Sequence, residues 1–518
     1  MRINVVNAVD IAIINEKYRL QKAFFRISFQ LYSSMSLKKE MVNGVFWTAV
    51  QRYSGYVVQL IVTMILARLL APTDFGIIAI ALVLIQFLNI FTSMGIGSAI
   101  IQNRDLSERD LNIIFSFTVY VGSLLFLLFF FAADWVASFY GKEVLVLICQ
   151  ILSVNIFFIA LNVVPNALIV KNKRFKFIAK RTLSLQIISG VFSITAASMG
   201  LGIYSLLIAP VFTAVGVFVI NYRQYPQKFY IKIDKAPLKK IFSFSVYQFL
   251  FSLINFFSRN LDKLIIGKYL SLSDLGFYEK SYRLMMIPLD GITSVITSVI
   301  HPVLTALQDE RERLAHHYNA IIKLLATISF PLGILLYFSA GEIIRIVFGM
   351  QWDNAIPVFK ILALSLPFQM ILTSNGAIYQ AAGKTNWMFY NGLSNSFLTV
   401  TGFIVSVFYF KNIEAVAWSW NITLTINLIV TYLILYKIVL RSSIVKVAKS
   451  LFFPFINALL IVLIIAPTQH FYPSNIYISF GIKACIALIV SYFCITLSGQ
   501  YNINKIVKER YKSIKALF

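Results

Sequence analysis

The sequence predicts an all-α polytopic membrane protein with about 14 transmembrane helices. This prediction depends on its composition, its long apolar segments and the placement of its charges. Of the 518 residues, 59% are hydrophobic and only 13% are charged, and the mean hydropathy is +0.78. A single soluble core could not bury so much apolar side chain. We therefore expect lipid to cover much of the surface, which excludes a soluble protein.

The apolar segments are long enough to cross a membrane. A bilayer core of about 30 Å requires roughly 20 helical residues per span. Fourteen segments meet this requirement, and the fifth and sixth are separated by only a few residues. The predicted spans are 44–68, 75–101, 111–133, 144–170, 178–199, 202–222, 242–268, 275–303, 316–339, 354–381, 386–409, 413–437, 450–467 and 475–497.

The positive charge is concentrated between the apolar runs. A formal net charge of +25 would suggest a nucleic acid partner in a soluble protein, but here the basic residues fall in short loops on one side of the predicted membrane, such as 171–181, 223–240 and 437–449. This pattern is typical of the positive-inside rule, so we expect no nucleic acid partner. With an even number of spans, both termini are predicted to be cytoplasmic in a bacterial inner (plasma) membrane.

An internal repeat supports the division of the chain into two halves. Residues 67–76 (Ala-Arg-Leu-Leu-Ala-Pro-Thr-Asp-Phe-Gly) align with 267–276 (Gly-Lys-Tyr-Leu-Ser-Leu-Ser-Asp-Leu-Gly), and 139–141 align with 347–349. Both copies keep the same membrane side. The halves are therefore predicted to be parallel repeats around an axis along the membrane normal, with the substrate site between them. Within the repeat, the aspartates are expected to start helices.

Four regions follow from these observations. The first 34 residues mix charged residues with short apolar stretches, so no cleavable signal peptide is predicted, and the stretch beginning at Met35 resembles a natural N-terminus. The predicted regions are a cytoplasmic N-terminal extension (1–35), an N-terminal six-helix bundle (36–235), a C-terminal six-helix bundle (236–440), and two additional transmembrane helices with a basic cytoplasmic tail (441–518).

Ionisable side chains inside the spans are the best candidates for a binding site. Such a side chain costs several kcal/mol unless it faces a polar cavity or a partner. Three spans concentrate these residues, together with neighbouring amides. The candidates are Arg52 and Gln59 in the first span, Asn255, Arg259, Asp262 and Lys263 in the seventh, and Glu279, Lys280 and Arg283 in the eighth.

The spacing of these charges predicts local pairs. Arg259 and Asp262 are spaced i, i+3, and Glu279 precedes Arg283 at i, i+4, so each helix can neutralise one charge itself. Lys263 and Lys280 would then remain as excess positive charge, which suits an anionic substrate. The alternative is a structural ion-pair network that joins the two helices, with the lysines and Arg52 reaching outward to the headgroups.

Several stretches resemble a known family. Residues 44–52 (Gly-Val-Phe-Trp-Thr-Ala-Val-Gln-Arg), 67–76, 259–267 (Arg-Asn-Leu-Asp-Lys-Leu-Ile-Ile-Gly) and 274–278 resemble the polysaccharide transporter branch of the multidrug/oligosaccharidyl-lipid/polysaccharide exporter superfamily, the Wzx-type lipid-linked oligosaccharide flippases. The resemblance runs from about residue 36 to 440. It implies two six-helix bundles around a V-shaped cavity, and alternating access that moves an undecaprenyl-diphosphate-linked oligosaccharide to the periplasmic leaflet.

The resemblance also gives the polar residues a role. The five cations Arg52, Arg259, Lys263, Lys280 and Arg283 would attract the anionic head of the substrate. Gln86 and Asn89 in the second span and Asn375 in the tenth could donate hydrogen bonds to sugar hydroxyls, with interhelical contacts as the alternative. The implied partners are the lipid-linked oligosaccharide, the bilayer, and a polysaccharide polymerase and chain-length regulator.

Neither a cofactor nor a catalytic residue is expected. The three cysteines lie in apolar runs without a Cys-x-x-Cys motif, and Gly383-Lys-Thr lacks the upstream glycine of a phosphate-binding loop. Three alternatives stay open. They are a cation-coupled multidrug exporter of the same superfamily, a membrane enzyme of polysaccharide assembly such as a polymerase or ligase, and a lipid scramblase or assembly scaffold. The enzyme lacks support because the chain has no Asp-x-Asp motif and no large external loop.

Overall fold

The described part of the chain is almost entirely α-helical. The computed structural model describes residues 43–103, 105–305 and 310–498, and these ranges contain no β-strand. The predicted all-α membrane fold is confirmed. Helices are numbered α1 to α18 in chain order, and the predicted extension 1–35 and the C-terminal tail from 499 lie outside the described residues.

Long helices make up most of the fold, and short helices follow several of them. The long helices are α1 (43–69), α2 (Pro72–Ser93), α4 (Glu108–Phe131), α6 (Val144–Lys171), α7 (Phe175–Ser198), α8 (Ser205–Gln224), α9 (Lys235–Tyr269), α10 (Leu272–Thr305), α11 (Arg311–Phe338), α13 (Ala355–Leu372), α15 (Thr385–Val405), α16 (Ile413–Leu433), α17 (Val445–Thr468) and α18 (Ile476–Leu497). The short helices are α3 (Ile96–Gln102), α5 (Ala133–Tyr140), α12 (Ala340–Val347) and α14 (Asn375–Ala381).

Eleven helical segments of the described chain are long and apolar enough to cross a membrane. They coincide with the predicted second to sixth and ninth to fourteenth spans, so the chain is a multi-pass membrane protein. The remaining predicted spans overlap α1, α9 and α10. The candidate charges lie on these three helices, which makes them less apolar than the others. The total of fourteen stays a prediction.

The internal repeat has the same local structure in both copies. Asp74 accepts a hydrogen bond from the backbone N–H of Ala71 (3.1 Å), and Asp274 accepts one from that of Ser271 (3.4 Å). Each aspartate therefore caps the start of its helix, as predicted. The second pair of matching segments also agrees, because α5 and α12 each have eight residues and each is followed within two residues by a glycine with positive φ.

The two repeat copies meet where α2 and α10 begin. A side chain on Gly76 would collide with the carbonyl of Leu272, and a side chain on Gly276 would collide with the carbonyl of Pro72. The two contacts are equivalent under the 200-residue shift. Only glycine allows backbones to approach so closely. We call this contact the α2–α10 crossing.

Reciprocal hydrogen bonds surround the α2–α10 crossing. Arg68, at the end of α1, donates to the carbonyl of Ile346 in α12 (2.9 Å), and Lys268, at the end of α9, donates to the carbonyl of Phe139 in α5. The indole of Trp352 donates to the carbonyl of Ala67 (2.9 Å). The crossing and these hydrogen bonds, together called the clasp, tie the two copies of the repeat at one end of the molecule.

The remaining helices pack around two central ones. α6 contacts α2, α4 and α8, while α13 contacts α10, α11 and α16. α17 packs on α11, and α18 is attached to α12 because Glu342 accepts hydrogen bonds from Ser479 (2.6 Å) and Lys483. The predicted domain boundary at 235 falls at the first residue of α9, and the one at 440 falls in the connection between α16 and α17. Both boundaries stay predictions.

Candidate functional site

Two adjoining cavities lie between α10 and the first half of the chain. The large cavity has a volume of about 580 Å³ and is lined by α1, α2, α6, α7, α8 and α10. The small cavity, of about 140 Å³, lies between α1 and α10. Gln59, Thr63, Lys280 and Arg283 line both cavities, so two of the predicted cations face this space.

Glu279 binds two cations at the edge of the large cavity. Its carboxylate lies 3.1 Å from Nε of Arg283, which confirms the predicted i, i+4 pair, and 2.9 Å from Nζ of Lys263 on α9. Lys263 and Glu279 each have only 10% of the side chain exposed. The expectation that Lys263 carries excess charge is therefore wrong, since the neighbouring helix supplies its partner.

Asp262 is bound differently from the prediction. Its side chain is fully buried and accepts a hydrogen bond from the hydroxyl of Tyr278 (2.7 Å), which in turn accepts one from the indole of Trp420 (2.7 Å). Arg259, the predicted partner, is exposed and makes no ion pair with Asp262. The i, i+3 spacing permitted a pair, but the side chain of Asp262 is turned toward α10 and α16.

Lys280 supplies unpaired positive charge. Its ammonium group lies 4.1 Å from the centre of the Phe75 ring and forms no ion pair with the described residues. Such a contact with the ring face stabilises a cation without neutralising it. As predicted, Lys280 remains an excess charge, and it lines both cavities next to Arg283.

Arg52 and Arg259 lie near a carboxylate that the sequence analysis did not select. Asp290, which lines the small cavity, interacts electrostatically with both arginines. The hydroxyl of Tyr53 donates to the carbonyl of Gly291 (2.8 Å) and so attaches α1 to α10 beside this group. The signal for Asp290 was its position inside a predicted span, the same signal that selected the other charges.

The other predicted amides do not line these cavities. Gln86 on α2 is exposed, and Asn89 and Asn255 are partly buried. Asn375 is buried and accepts a hydrogen bond from Tyr318 (2.6 Å), in a cluster that includes the hydroxyl of Tyr432. For Asn375 the structure thus favours the alternative reading, a contact between helices.

A different polar wall faces the large cavity. Its side chains are amides and hydroxyls from α6, α7 and α8, namely Asn155, Asn162, Gln186, Ser189, Ser193 and Thr213. None of these residues was predicted from the sequence as part of the site. A signal existed, because Gln186, Ser189 and Ser193 recur at helical spacing inside a predicted span. This wall offers uncharged hydrogen-bonding groups to the cavity. In the described ranges, no cluster of three or more His, Cys, Asp or Glu side chains could hold a metal ion.

Membrane-crossing helices around a cavity that is lined by basic side chains are typical of a membrane transporter. The fold is similar to that of two solved transporters. The lipid II flippase MurJ in its inward closed conformation aligns with a TM-score of 0.69 and 17% identity, over 88% of this chain and 98% of that one. A multidrug resistance MATE family transporter of the MOP superfamily in an inward-facing conformation aligns with a TM-score of 0.56 and 17% identity, over 74% and 96%.

The chain belongs to the polysaccharide biosynthesis protein family, which it matches over residues 65–357, more than half of its length. Curated relatives include the teichuronic acid biosynthesis protein TuaB of Bacillus subtilis, 25% identical over 79% of this chain and 85% of that protein. The lipopolysaccharide biosynthesis protein WzxC of Escherichia coli is 23% identical over 81% and 86%. The succinoglycan biosynthesis transport protein ExoT of Rhizobium meliloti is 24% identical over 82% and 86%. The resemblance identified from the sequence is confirmed.

Proposed function

We propose that this protein is a flippase that moves an undecaprenyl-diphosphate-linked oligosaccharide from the cytoplasmic to the periplasmic leaflet of a bacterial inner membrane. The observation that carries the proposal is the pair of basic side chains, Lys280 and Arg283, at the junction of two cavities within a membrane protein. Lys280 has no ion-pair partner among the described residues, and Arg283 shares the carboxylate of Glu279 with Lys263. The names of the relatives, which concern lipopolysaccharide, teichuronic acid and succinoglycan biosynthesis, support a substrate of this class.

The geometry suits a diphosphate joined to sugars. Glu279 contacts Arg283 through Nε, so the terminal nitrogens of the guanidinium are available for phosphate oxygens. Lys280 adds a second charge within the same space. A hydrogen bond to a charged group contributes about 1.5–3 kcal/mol, which offsets part of the cost of moving the diphosphate away from water. The amides and hydroxyls of the polar wall can bind sugar hydroxyls.

The clasp is suited to alternating access. We place the clasp on the periplasmic side and both termini in the cytoplasm, in agreement with the distribution of lysine and arginine in the loops. The clasp then closes the periplasmic end, and its opening would let residues 36–235 rock against 236–440 and release the substrate. A polysaccharide polymerase and a chain-length regulator would act on the delivered units.

Complementation tests the proposal. A strain that makes the cognate glycan but lacks its flippase should regain surface glycan with the wild-type protein. At matched membrane expression, Arg283→Ala and Lys280→Met should restore at least tenfold less, because each removes a charge-assisted contact. Arg313→Ala is the matched control, since this arginine is largely exposed outside the cavities.

Two outcomes would contradict the proposal. In the first, both variants restore surface glycan as well as the wild type does, which would show that the cavity charges are not used. In the second, the wild type fails while lipid-linked units accumulate in the cytoplasmic leaflet. A multidrug exporter for cationic compounds has less support, because the surplus charge in this cavity is positive.

A further inference from the structure

Arg181 is a buried cation that the proposed diphosphate contact does not use. From sequence it is one of the basic residues assigned to a cytoplasmic loop. In the structure it is the seventh residue of α7, about 9 Å along the axis from the first residue, and only 9% of it is exposed. It therefore lies inside the bundle formed by α6, α7 and α8.

The partners of Arg181 are neutral. One terminal nitrogen donates to Oδ1 of Asn221 on α8, and the other lies 3.4 Å from the hydroxyl of Thr182. Its Nε is buried without a hydrogen-bond partner, and no carboxylate in the described ranges lies within 4 Å. A buried cation without a counter-charge costs several kcal/mol, so such a group is retained where an anion can reach it or be attracted by it.

Arg181 fixes the direction of a chain of amides. Because a guanidinium can only donate, it requires the oxygen of Asn221, whose NH₂ group then faces α6. That NH₂ donates to Oδ1 of Asn162 (2.7 Å) and weakly to Oδ1 of Asn166 (3.4 Å). The NH₂ group of Asn162 must therefore point away from Asn221, and Asn162 lines the large cavity. The hydrogen bonds thus run from Arg181 through Asn221 to Asn162, whose side chain lines that cavity.

We propose that the Arg181–Asn221–Asn162 relay forms a second anion-binding site at the α6–α7–α8 wall of the large cavity, and that it binds a carboxylate or phosphate group of the substrate head. This inference rests on the proposed function. Two groups that line the large cavity then have different roles. Lys280 and Arg283 of α10 bind one anionic group of the substrate, and the relay binds another. A lipid-linked glycan that carries an acidic sugar supplies two anionic groups, one for each wall.

A purely structural relay would behave differently from a binding site. If Arg181 only joins α6, α7 and α8, its removal lowers the stability and leaves ligand affinity unchanged in the protein that remains folded. A binding site loses affinity for anions when its cavity-facing donor is removed, even when the Arg181–Asn221 contact is intact. Asn162→Ala makes this distinction, because it removes the residue of the relay that lines the cavity and leaves the Arg181–Asn221 contact in place.

The test is ligand binding to the purified full chain in detergent, measured by titration calorimetry. The probes are glucuronate as a carboxylated sugar, inorganic pyrophosphate, and glucose as the neutral control. We expect Asn162→Ala and Arg181→Gln to weaken glucuronate binding by about tenfold or more, and Lys280→Met to weaken pyrophosphate binding. A weakening of pyrophosphate binding by Asn162→Ala would assign the relay to the diphosphate instead of the sugar.

Two results would overturn the inference. One is wild-type protein that binds neither anion better than glucose. The other is Asn162→Ala that binds both anions with wild-type affinity. Either result leaves the flippase proposal intact if the wild type restores surface glycan in the complementation assay. Conversely, failed complementation with normal anion binding would count against the flippase assignment alone.

Discussion

Glu279 is the residue on which the charge balance of the site depends. It lies between Lys263 and Arg283, and both Lys263 and Glu279 are nine-tenths buried. Burying a charge is unfavourable unless a partner compensates it, so the removal of one member of a buried pair is more harmful than the removal of both. At this scale the site is a compact network that keeps one guanidinium oriented toward the cavity.

We expect Glu279→Gln to lower the free energy of unfolding by about 3–5 kcal/mol, because Lys263 is left buried without a counter-charge. The double variant Lys263→Met with Glu279→Gln should recover part of this loss. Thermal unfolding in detergent measures both effects. Glu310→Gln is the control, since its pair with Arg313 is mostly exposed and should contribute less than about 1 kcal/mol. Strictly additive effects of the two substitutions would contradict this account.

Among the elements, α2 and α10 decide how the two copies of the repeat meet. Their first turns approach so closely at Gly76 and Gly276 that neither position has room for a side chain. Each helix is started in the same way by its aspartate, so one motif forms both the cap and the contact. The repeated segments thus start α2 and α10 and also form the contact between these two helices.

We expect Gly276→Val to push the first turns of α2 and α10 apart and to open the clasp. Spin labels at Leu69→Cys and Met350→Cys, in a background without the native cysteines, would report the change, because both positions are exposed beside the clasp. Their distance distribution should gain a longer component. Gly97→Val is the control, since a Cβ atom at this position would meet no atom within 4 Å. An unchanged distribution for Gly276→Val would show that the crossing does not hold this end closed.

For the whole molecule, the positive-inside pattern predicts an orientation of the clasp. The clasp includes α12 and the turn at Trp352, which follow α11, whereas the basic loops lie at the other ends of the spans. If those loops face the cytoplasm, the clasp faces the periplasm. The cavities then have a defined inner and outer end.

Reporter fusions test this orientation. Alkaline phosphatase fused after Met350 should be active, because the enzyme requires the periplasm, and the same reporter fused after Lys384 should be inactive. A cytoplasmic reporter such as β-galactosidase should show the opposite pattern at the two positions. The reverse result for both reporters would invert the topology and place the clasp on the cytoplasmic side.

The sequence by itself determined the features that depend on neighbours along the chain. The membrane class follows from apolar length, the family from the repeat and its flanking residues, and the pair between Glu279 and Arg283 from helical spacing. The start of α2 and α10 at their aspartates was likewise predictable, because capping involves residues only three positions apart.

Only the tertiary structure decided the contacts that depend on how each helix is rotated and how closely it approaches another. It paired Lys263 with Glu279 and Asp262 with Tyr278 across α9 and α10, buried Arg181 behind an amide relay, and made the glycines a contact surface. Spacing restricts which residues share a helical face, but the face that meets a given partner is set by packing with all other helices. For that reason most charges of the site were found from sequence, whereas their partners on other helices were not.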